Sequence, residues 1–517
     1  MTLKTLKLAG LVLLGGTSLT GLMAAPVVAA PVNQSEIDAL KAQIKALERK
    51  INSVQAVQEN KITEIKAKQD AVELKFENGR PTLRTSDGYF EMALRGRMHF
   101  DMATYGQDDH NLPSIAPGRD LNEGGNFRRS ELGLEGKFMR DWEYLVSYDF
   151  GGSGGEGGGN IKNMFLGYTG IKPLRIQIGA IQVPMTMDDS TSSNEITFIE
   201  RASAVNLATS MGAQKGRTAV GVRGNTNNVF GSLYYTRDPV TLSGGAALPD
   251  ESSNLVARAA YLIAPNPDTN IHIGASGTKV FNFTQVASAI PGPLPGSLQA
   301  SSNFNLQDRP ELRVDGTRLV STGNLAVDDG YVVGPELGAN WKNFYLQGEY
   351  YHYKLDRQRA NAAGAADLGS FDFDGWYVQT SWIVTGETKR YDIKNASFGA
   401  PRPNGPFGFG DSLGVIELAA RYSAVDLNDG ASGGPTCSGT GLVAAATSTC
   451  VRGGEQDIVT LGVNWYPNRN VRFMLNYQFV DVDRQAYPNN PVGVAGGPNA
   501  QIGQDYNAVA LRTQYSF

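Results

Sequence analysis

Hydrophobic and polar side chains alternate along most of the chain from about residue 89 to its end. In 90–101, one set of alternate positions carries Phe, Met and Leu, and the other carries mainly Glu, Arg, His and Asp. The same alternation recurs in 142–150, 416–423 and 471–479. A period of two is typical of β-strands with one face in an apolar medium. Segments of this length cross a bilayer at a tilt. Because hydrocarbon offers no partners for backbone groups, such strands must close into a barrel.

The alternation predicts sixteen strands, an even number as expected for a bacterial single-chain barrel. The predicted segments are 89–103, 126–138, 142–150, 160–169, 174–181, 217–224, 229–237, 254–263, 270–280, 331–341, 344–354, 371–384, 412–425, 456–466, 470–482 and 505–517. Short connections alternate with long ones, a pattern typical of periplasmic turns and outer loops. The connection 385–411 is long but falls on the turn side, and 308–320 could form an extra strand that would shift the register. We therefore expect an all-β, sixteen-stranded antiparallel transmembrane barrel.

A helix with an apolar seam is predicted before the first strand, with Ser35 as its N-cap. The seam follows a 3-4 spacing over nearly three heptads, which favours a short coiled coil, and fades at Gln58. Its members are Ile37, Leu40, Ile44, Leu47, Ile51 and Val54. A single helix cannot bury this seam, so we expect partner chains, or packing onto its own domain. Ile at a with Leu at d is compatible with a trimer.

The first thirty residues fit a secretory signal peptide. Lys4 and Lys7 precede an apolar run, and small residues follow up to a cleavage site within about 24–30. The alternative is an uncleaved anchor helix. The expected organisation is a signal peptide at 1–30, a periplasmic coiled coil and linker at 31–79, and a transmembrane β-barrel domain at 80–517.

Composition narrows the possible functions. A hydrophobic fraction of 41% and a mean hydropathy of -0.26 are too polar for a bundle of membrane helices. They suit a barrel, in which alternate residues meet lipid. The net charge of -5 gives no reason to expect nucleic-acid binding. Four His residues show no ligand spacing, so neither a metal nor a cofactor is expected. No nucleophile with a positioned base is evident, so we expect no enzyme.

The two cysteines lie in a segment rich in small and polar residues. Cys437 and Cys450 are separated by twelve residues, and an exported protein meets an oxidising compartment. We expect a loop disulfide between them. The alternative is two unpaired loop cysteines.

Several stretches between residues 80 and 517 resemble the phosphate-selective porin O/P family, and they occur in family order. They are Phe127-Arg128-Arg129-Ser130, Thr191-Ser192-Ser193-Asn194 through Phe198-Ile199-Glu200-Arg201, Gly375-Trp376-Tyr377-Val378-Gln379, Thr385-Gly386-Glu387, Glu417-Leu418-Ala419-Ala420-Arg421-Tyr422, Gly462-Val463-Asn464-Trp465-Tyr466 and Met474-Leu475-Asn476-Tyr477. The resemblance implies a homotrimer of sixteen-stranded barrels in the outer membrane of a Gram-negative-type envelope. It also implies anion transport and a third outer loop, here 182–216, folded into the pore.

Arginine residues are the candidate anion-binding groups on the lumen face. The planar guanidinium keeps its charge and offers paired donors to oxyanions. Alternation places these basic residues inward: Arg95, Arg97, Arg129, Lys137, Arg258, Arg421, Arg472 and Arg512. The resemblance adds Arg128, which faces inward beside Arg129 only at a bulge or at the strand's loop end; its alternative position is the exposed rim. The competing interpretation pairs each Arg with a lumen acid in a purely structural role.

The third loop supplies the predicted constriction. The resemblance points to these loop residues: Thr191, Ser192, Ser193, Asn194, Arg201, Lys215 and Arg217. Phosphate-specific family members carry lysines near the Thr-Ser-Ser triplet, whereas this chain has Asp189 and Asn194, with Asp188 and Glu195 close by. Because a carboxylate repels phosphate, the resemblance does not secure phosphate specificity. Lys215 and Arg217 at the end of the loop could compensate.

The sequence thus predicts an outer-membrane porin for passive diffusion of small anions, with phosphate or polyphosphate as the expected substrates. The expected partners are outer-membrane lipid, small anions and further copies of the chain. Two alternatives stay open: a general or weakly selective porin for other small solutes, and a barrel-anchored tether that uses the coiled coil to hold the envelope.

Overall fold

The computed structural model describes residues 33–70, 72–77, 79–107, 120–151, 159–240, 251–263, 265–266, 268–291, 298–302, 304–358, 369–408, 410–430, 439–440, 443–444, 448, 450–487 and 499–517. The predicted signal peptide lies outside these residues. The chain divides into two compact units, Met1–Asp70 and Ala71–Phe517.

The first unit contains helix α1, Gln34–Asp70, which continues well beyond Gln58. The predicted N-cap Ser35 is wrong, because Asn33 Oδ1 accepts hydrogen bonds from the Ser35 amide (3.2 Å) and the Ser35 hydroxyl. Leu40, Ile44 and Leu47 of the seam are exposed. The seam is therefore free to meet partner chains. None of the described helices is both long and apolar enough to cross a bilayer.

The second unit consists mainly of strands. In chain order the first thirteen are β1 Val72–Glu77, β2 Arg80–Thr85, β3 Phe90–Gln107, β4 Gly124–Phe138, β5 Trp142–Asp149, β6 Asn160–Tyr168, β7 Leu174–Ile181, β8 Arg217–Asn225, β9 Val229–Pro239, β10 Ser253–Ile263, β11 Thr269–Asn282, β12 Gln285–Pro291 and β13 Leu298–Ser302. The remaining ones are β14 Gln307–Asp308, β15 Val320–Ser321, β16 Val327–Trp341, β17 Phe344–Arg357, β18 Ser370–Ile383, β19 Arg390–Asp392, β20 Ser397–Gly399, β21 Val415–Asp429, β22 Gly439–Thr440, β23 Val443–Ala444, β24 Val451–Tyr466, β25 Val471–Asp483 and β26 Tyr506–Ser516. Two short helices, α2 Met187–Ser190 and α3 Ser203–Ser210, lie between β7 and β8.

Sixteen of the described strands form a closed antiparallel barrel, which confirms the predicted fold. They are β3–β11, β16–β18, β21 and β24–β26. Closure comes from β26 pairing with β3, with Tyr506 opposite Gln107 and Ser516 opposite Arg97. Below that pairing, β2 of the β1–β2 hairpin takes the same edge of β3. Segment 308–320 forms no barrel strand, because only its ends enter the two-residue pair β14–β15.

The outer wall shows why the alternation predicted the strands. In β25, Leu475, Tyr477 and Phe479 are exposed, whereas the intervening Asn476 and Gln478 are buried. The exposed face is the one that meets lipid, and the buried face meets a lumen filled by inward-folded chain. Short connections such as the turn between β4 and β5 mark the periplasmic end.

Three segments fill the lumen. The first is the constriction loop (residues 182–216), whose α3 buries Ala204, Val205 and Leu207 against apolar side chains of the upper wall. The second is part of the fifth outer loop, 304–326, with Leu306 and Leu312 buried in the same cluster. The third is the connection 384–414, which carries β19 and β20. The long connection on the turn side is therefore an inward fold from the periplasmic end.

Candidate functional site

Two polar chambers lie inside the barrel, on either side of the constriction loop. The outer chamber has a volume of about 600 Å³ and is lined by seven basic and four acidic side chains. It faces the outer end of the barrel, where Arg128, Arg129 and Asp149 lie. Arg313 and Arg318 reach it from the fifth outer loop. The formal excess of three positive charges favours anions in this space.

The inner chamber opens toward the periplasmic half of the wall. Its volume is about 370 Å³, and seven basic but only two acidic side chains line it. Arg95, Arg175 and Arg223 contribute from the strands, and Thr191–Ser193 from the constriction loop. The formal excess is therefore five positive charges. The inner chamber is thus formally more positive than the outer one.

Four charged residues line both chambers and define the neck between them: Lys162, Asp189, Arg201 and Lys215. Lys162 is paired with Glu131. Arg201 Nε lies 3.3 Å from Asp188 Oδ2 and 3.5 Å from Asp189 Oδ1. These four residues therefore lie where the two chambers adjoin.

Lys215 is the unpaired cation of the neck. It makes neither a hydrogen bond nor an ion pair with any residue that the structure describes. Burial, together with the nearby charges of Arg129 and Arg201, lowers the pKa of Lys215 well below its usual range. An anion in the neck opposes both the burial and the repulsion by Arg129 and Arg201, because it favours the charged form of Lys215. The lysine then keeps its proton and offers the anion a positively charged partner.

A β-bulge brings Arg128 and Arg129 to the lumen together. The register of β3 and β4 shifts after the His99–Arg129 pair, and the next pair is Phe100–Phe127. Arg128 is thus the extra residue of the bulge, and both guanidinium groups line the outer chamber. The exposed-rim alternative for Arg128 is wrong.

Four predicted pore-lining arginines, Arg258, Arg421, Arg472 and Arg512, line neither chamber. Arg472 donates to the Ile196 carbonyl (2.6 Å) and the Thr197 carbonyl (3.2 Å). Arg421 donates to the Glu200 carbonyl (2.9 Å). The terminal Nη atoms of both guanidinium groups contact protein acceptors, so these side chains hold the constriction loop and line neither chamber.

Arg512 and Arg258 are held in the same way. Arg512 makes two contacts of 2.6 Å with the Asp101 carboxylate. Arg258 lies between Glu336 (2.9 Å) and the carbonyls of Asn395 and Ala396, and so ties the 384–414 connection to the wall. Both are buried. The pair of Arg512 with Asp101 joins residues directly opposite each other on neighbouring strands, as the competing interpretation predicted. The contacts of Arg258 with the 384–414 connection were not predicted, because their acceptors come from a distant segment.

The remaining predicted residues have mixed positions. Arg95 pairs with Glu135 (2.8 Å), and Arg97 lies 3.1 Å from Glu131 and contacts Ser193. Both line the inner chamber. Asn194 Oδ1 lies 2.9 Å from His99 Nε2 and faces neither chamber.

Two further predictions concern Arg217 and the pair of cysteines. Arg217 does not compensate at the constriction, because it donates to the Arg237 carbonyl (2.9 Å) and Ser252 (3.2 Å) and lines neither chamber. Cys450 is buried and disulfide-bonded, whereas Cys437 lies outside the described residues.

Some chamber residues were missed by the sequence analysis: Lys162, Arg175, Arg223, Arg313 and Arg318. A signal existed for Arg175 and Arg223, which occupy inward positions and lie directly opposite each other on β7 and β8. None existed for Lys162, which a bulge between β5 and β6 turns inward, or for the two loop arginines.

Comparison with known proteins gives one family and several relatives. The family described as phosphate-selective porin O and P matches residues 92–517. Porin O of Pseudomonas aeruginosa is 23% identical over 430 residues, which cover 77% of this chain and 85% of the relative. An uncharacterized protein of Caulobacter vibrioides is 24% identical over 425 residues, 78% of this chain and 71% of the relative. Among solved structures, the anion-selective porin from Comamonas acidovorans has a TM-score of 0.46 at 15% identity, covering 83% of this chain and 100% of its own.

Proposed function

Because the chain belongs to the phosphate-selective porin O and P family, we propose that its two chambers and their neck form a passive pathway for small oxyanions, with phosphate or polyphosphate preferred. The protein is an outer-membrane anion porin. The proposal covers three points: the preferred anion, the pathway through the two chambers, and transport without a catalytic step. The observation that supports the path is the positive excess of both chambers, which meet at an unpaired lysine.

The proposed mechanism is electrostatic. The outer chamber collects anions through its arginines, the neck exchanges them between Arg201, Lys162 and Lys215, and the inner chamber draws them toward the periplasm. Several sites of moderate strength let an ion enter and leave, where one tight site would trap it. Most of the chamber arginines already contact a protein carboxylate, which keeps each site moderate.

The purified porin in a planar bilayer is expected to pass mainly anions in a chloride gradient. Phosphate added at low concentration is expected to reduce the chloride current, because an oxyanion accepts paired hydrogen bonds from guanidinium groups that chloride cannot match. The measurement is the reversal potential, followed by a phosphate titration of the single-channel current. A cation-selective current would overturn the proposal. An anion-selective current indifferent to phosphate would leave a weakly selective porin.

We propose that the chain assembles as a homotrimer and that α1 uses its exposed seam to contact other copies. Since both chambers are built from residues between Arg95 and Asn395, deletion of 35–57 is expected to leave single-channel conductance and anion selectivity unchanged. The same bilayer recordings check this, with light scattering to follow the assembly. Lost conductance would contradict the separation of helix and pore. An envelope-adhesion defect in cells carrying the deletion would favour the tether function.

A further inference from the structure

Glu200 of the constriction loop lies at the centre of a group of arginines. Its Oε1 is 2.8 Å from Arg128 Nε, 2.7 Å from Arg512 Nη2 and 3.7 Å from Arg129 Nη1. Its Oε2 is 3.7 Å from Arg313 Nε. The residue is only 4% exposed, yet it lines the outer chamber. Four positive side chains thus surround one carboxylate at the wall of the anion path.

These contacts are the ones that a bound oxyanion would make. A carboxylate and a phosphate both present oxygen pairs that match the guanidinium fork. Arg512 also contacts Asp101, and Arg313 also contacts Asp308 (3.5 Å), so the groups that an ion in the chamber could take over are Arg128 and Arg129. An entering anion meets these two with Glu200 already in contact.

We propose that Glu200 is a specificity-determining residue, a tethered competitor that occupies the outer oxyanion site and keeps anion binding there weak. The inference rests on the proposed function and deepens it. An anion binds by displacing part of the Glu200 contact, and Glu200 returns when the anion moves to the neck. Without the carboxylate, the formal excess of the outer chamber would rise from three positive charges to four.

The carboxylate stays charged throughout the useful pH range. Burial alone would raise the pKa of Glu200, but Arg128, Arg129, Arg512 and Arg313 together hold it well below its usual range. Protonation therefore does not remove the negative charge of Glu200, and only an incoming anion competes with it for the arginines.

A purely structural Glu200 gives the opposite result on mutation. If Glu200 served only to hold the constriction loop, its neutralisation would loosen the loop, widen the path and weaken phosphate binding. As a tethered competitor, its neutralisation frees Arg128 and Arg129 and strengthens phosphate binding. The sign of the change in affinity separates the two roles.

The test is a phosphate titration of chloride current through Glu200→Gln in planar bilayers, next to the wild type. Glutamine keeps the shape and an acceptor oxygen but removes the charge. The half-blocking phosphate concentration is expected to fall about tenfold, because the carboxylate no longer competes with phosphate for the guanidinium donors. The chloride-to-potassium permeability ratio is expected to rise. An unchanged or higher half-blocking concentration overturns the inference.

Two further variants accompany this test, one as a fallback and one as a control. Glu200→Asp keeps the charge but retracts it by one methylene, so it is expected to tighten phosphate block to an intermediate degree if Glu200→Gln fails to assemble. Glu311→Gln neutralises another buried glutamate, which contacts Arg421 and accepts from Ser423 (2.7 Å) but lines neither chamber. It is expected not to tighten block, and equal tightening there would overturn the assignment. A wild-type channel that is not anion-selective would instead refute the proposed function.

Discussion

Lys215→Glu is expected to abolish most of the anion selectivity, lowering the chloride-to-potassium permeability ratio about tenfold or more. Lys215 lines both chambers and makes no ion pair with a described residue, so no partner absorbs the change in charge. At an effective dielectric constant of about 20, a unit charge about 6 Å away changes an ion's energy by about 3 kcal/mol. About 1.4 kcal/mol already corresponds to a tenfold change.

The measurement is the reversal potential in a potassium chloride gradient, with two matched variants. Lys354→Glu makes the same charge change on the outward face of β17, away from both chambers, and is expected to leave the reversal potential unchanged. Lys215→Arg keeps a positive charge in the neck and is expected to stay anion-selective. A Lys215→Glu channel as anion-selective as the wild type would remove Lys215 from the proposed path.

The same residue gives the wild-type channel a pH dependence. Because its pKa lies well below the usual lysine range, Lys215 carries its charge at low pH and loses it as the pH rises through that lowered value. Anion selectivity is therefore expected to fall with rising pH at values where an ordinary lysine is still charged. Lys215→Arg should shift this loss to higher pH, because arginine keeps its proton.

The lipid-facing pattern made the strands predictable. A side chain such as Leu475 or Tyr477 must be apolar because hydrocarbon surrounds it, whatever the rest of the chain does. The sequence therefore indicated every barrel strand, and also the residues at which most of the turns begin and end. The lumen imposes no comparable rule, because its chemistry depends on what folds into it.

The upper part of β17 shows where the alternation misleads. There Tyr351, Tyr353 and Leu355 point inward and are buried against the filled lumen, whereas His352 and Lys354 face outward. On this outward face, His352 pairs with Asp374 (3.0 Å). Beyond the hydrocarbon, the outward face is polar and the inward face supports the loops.

Bulges explain the other gaps in the predicted site. One extra residue reverses the direction of all side chains beyond it or turns two neighbours the same way. Arg128 and Lys162 both occupy such positions, and strict alternation would place Lys162 on the same face as Met164 and Leu166. The charged residues were visible in the sequence, but the local register that directs their side chains was not.

Arginines on the lumen wall consequently divide into two groups. One group meets open space in the chambers, and the other donates to carbonyls of inward-folded segments. Both satisfy the same alternation, since the strand position fixes direction and not the partner. The constriction thus depends on both groups. The chamber residues supply its charge, and the buried arginines that bind its backbone set its position.

Combining Arg472→Met with Arg421→Met is expected to release the middle of the constriction loop and raise single-channel conductance about twofold or more. The two arginines donate to the carbonyls of Ile196, Thr197 and Glu200. Methionine fills similar space without donors. The Thr197 carbonyl keeps its bond from Asn464 (2.9 Å), but the Ile196 and Glu200 carbonyls lose these donors, and each buried carbonyl left unbonded costs about 1–3 kcal/mol. The loop is then expected to move to where water can satisfy these carbonyls, which widens the path.

Single-channel conductance and current noise measure this change, and Arg452→Met is the matched control. Arg452 is also a buried wall arginine, but it donates to the Ala486 carbonyl (2.6 Å) of a different loop. Arg472→Met alone separates the loss of loop contacts from the unpaired Glu311 that Arg421→Met leaves behind. If the double variant conducts like the wild type, the loop is held by other contacts and the anchoring role is wrong. If Arg452→Met raises conductance equally, the effect is not specific to the constriction loop, and the anchoring role is also wrong. If only the double variant widens, the wall arginines set the size of the pore, and selectivity should fall with it because ions then pass the neck at a greater distance from Lys215.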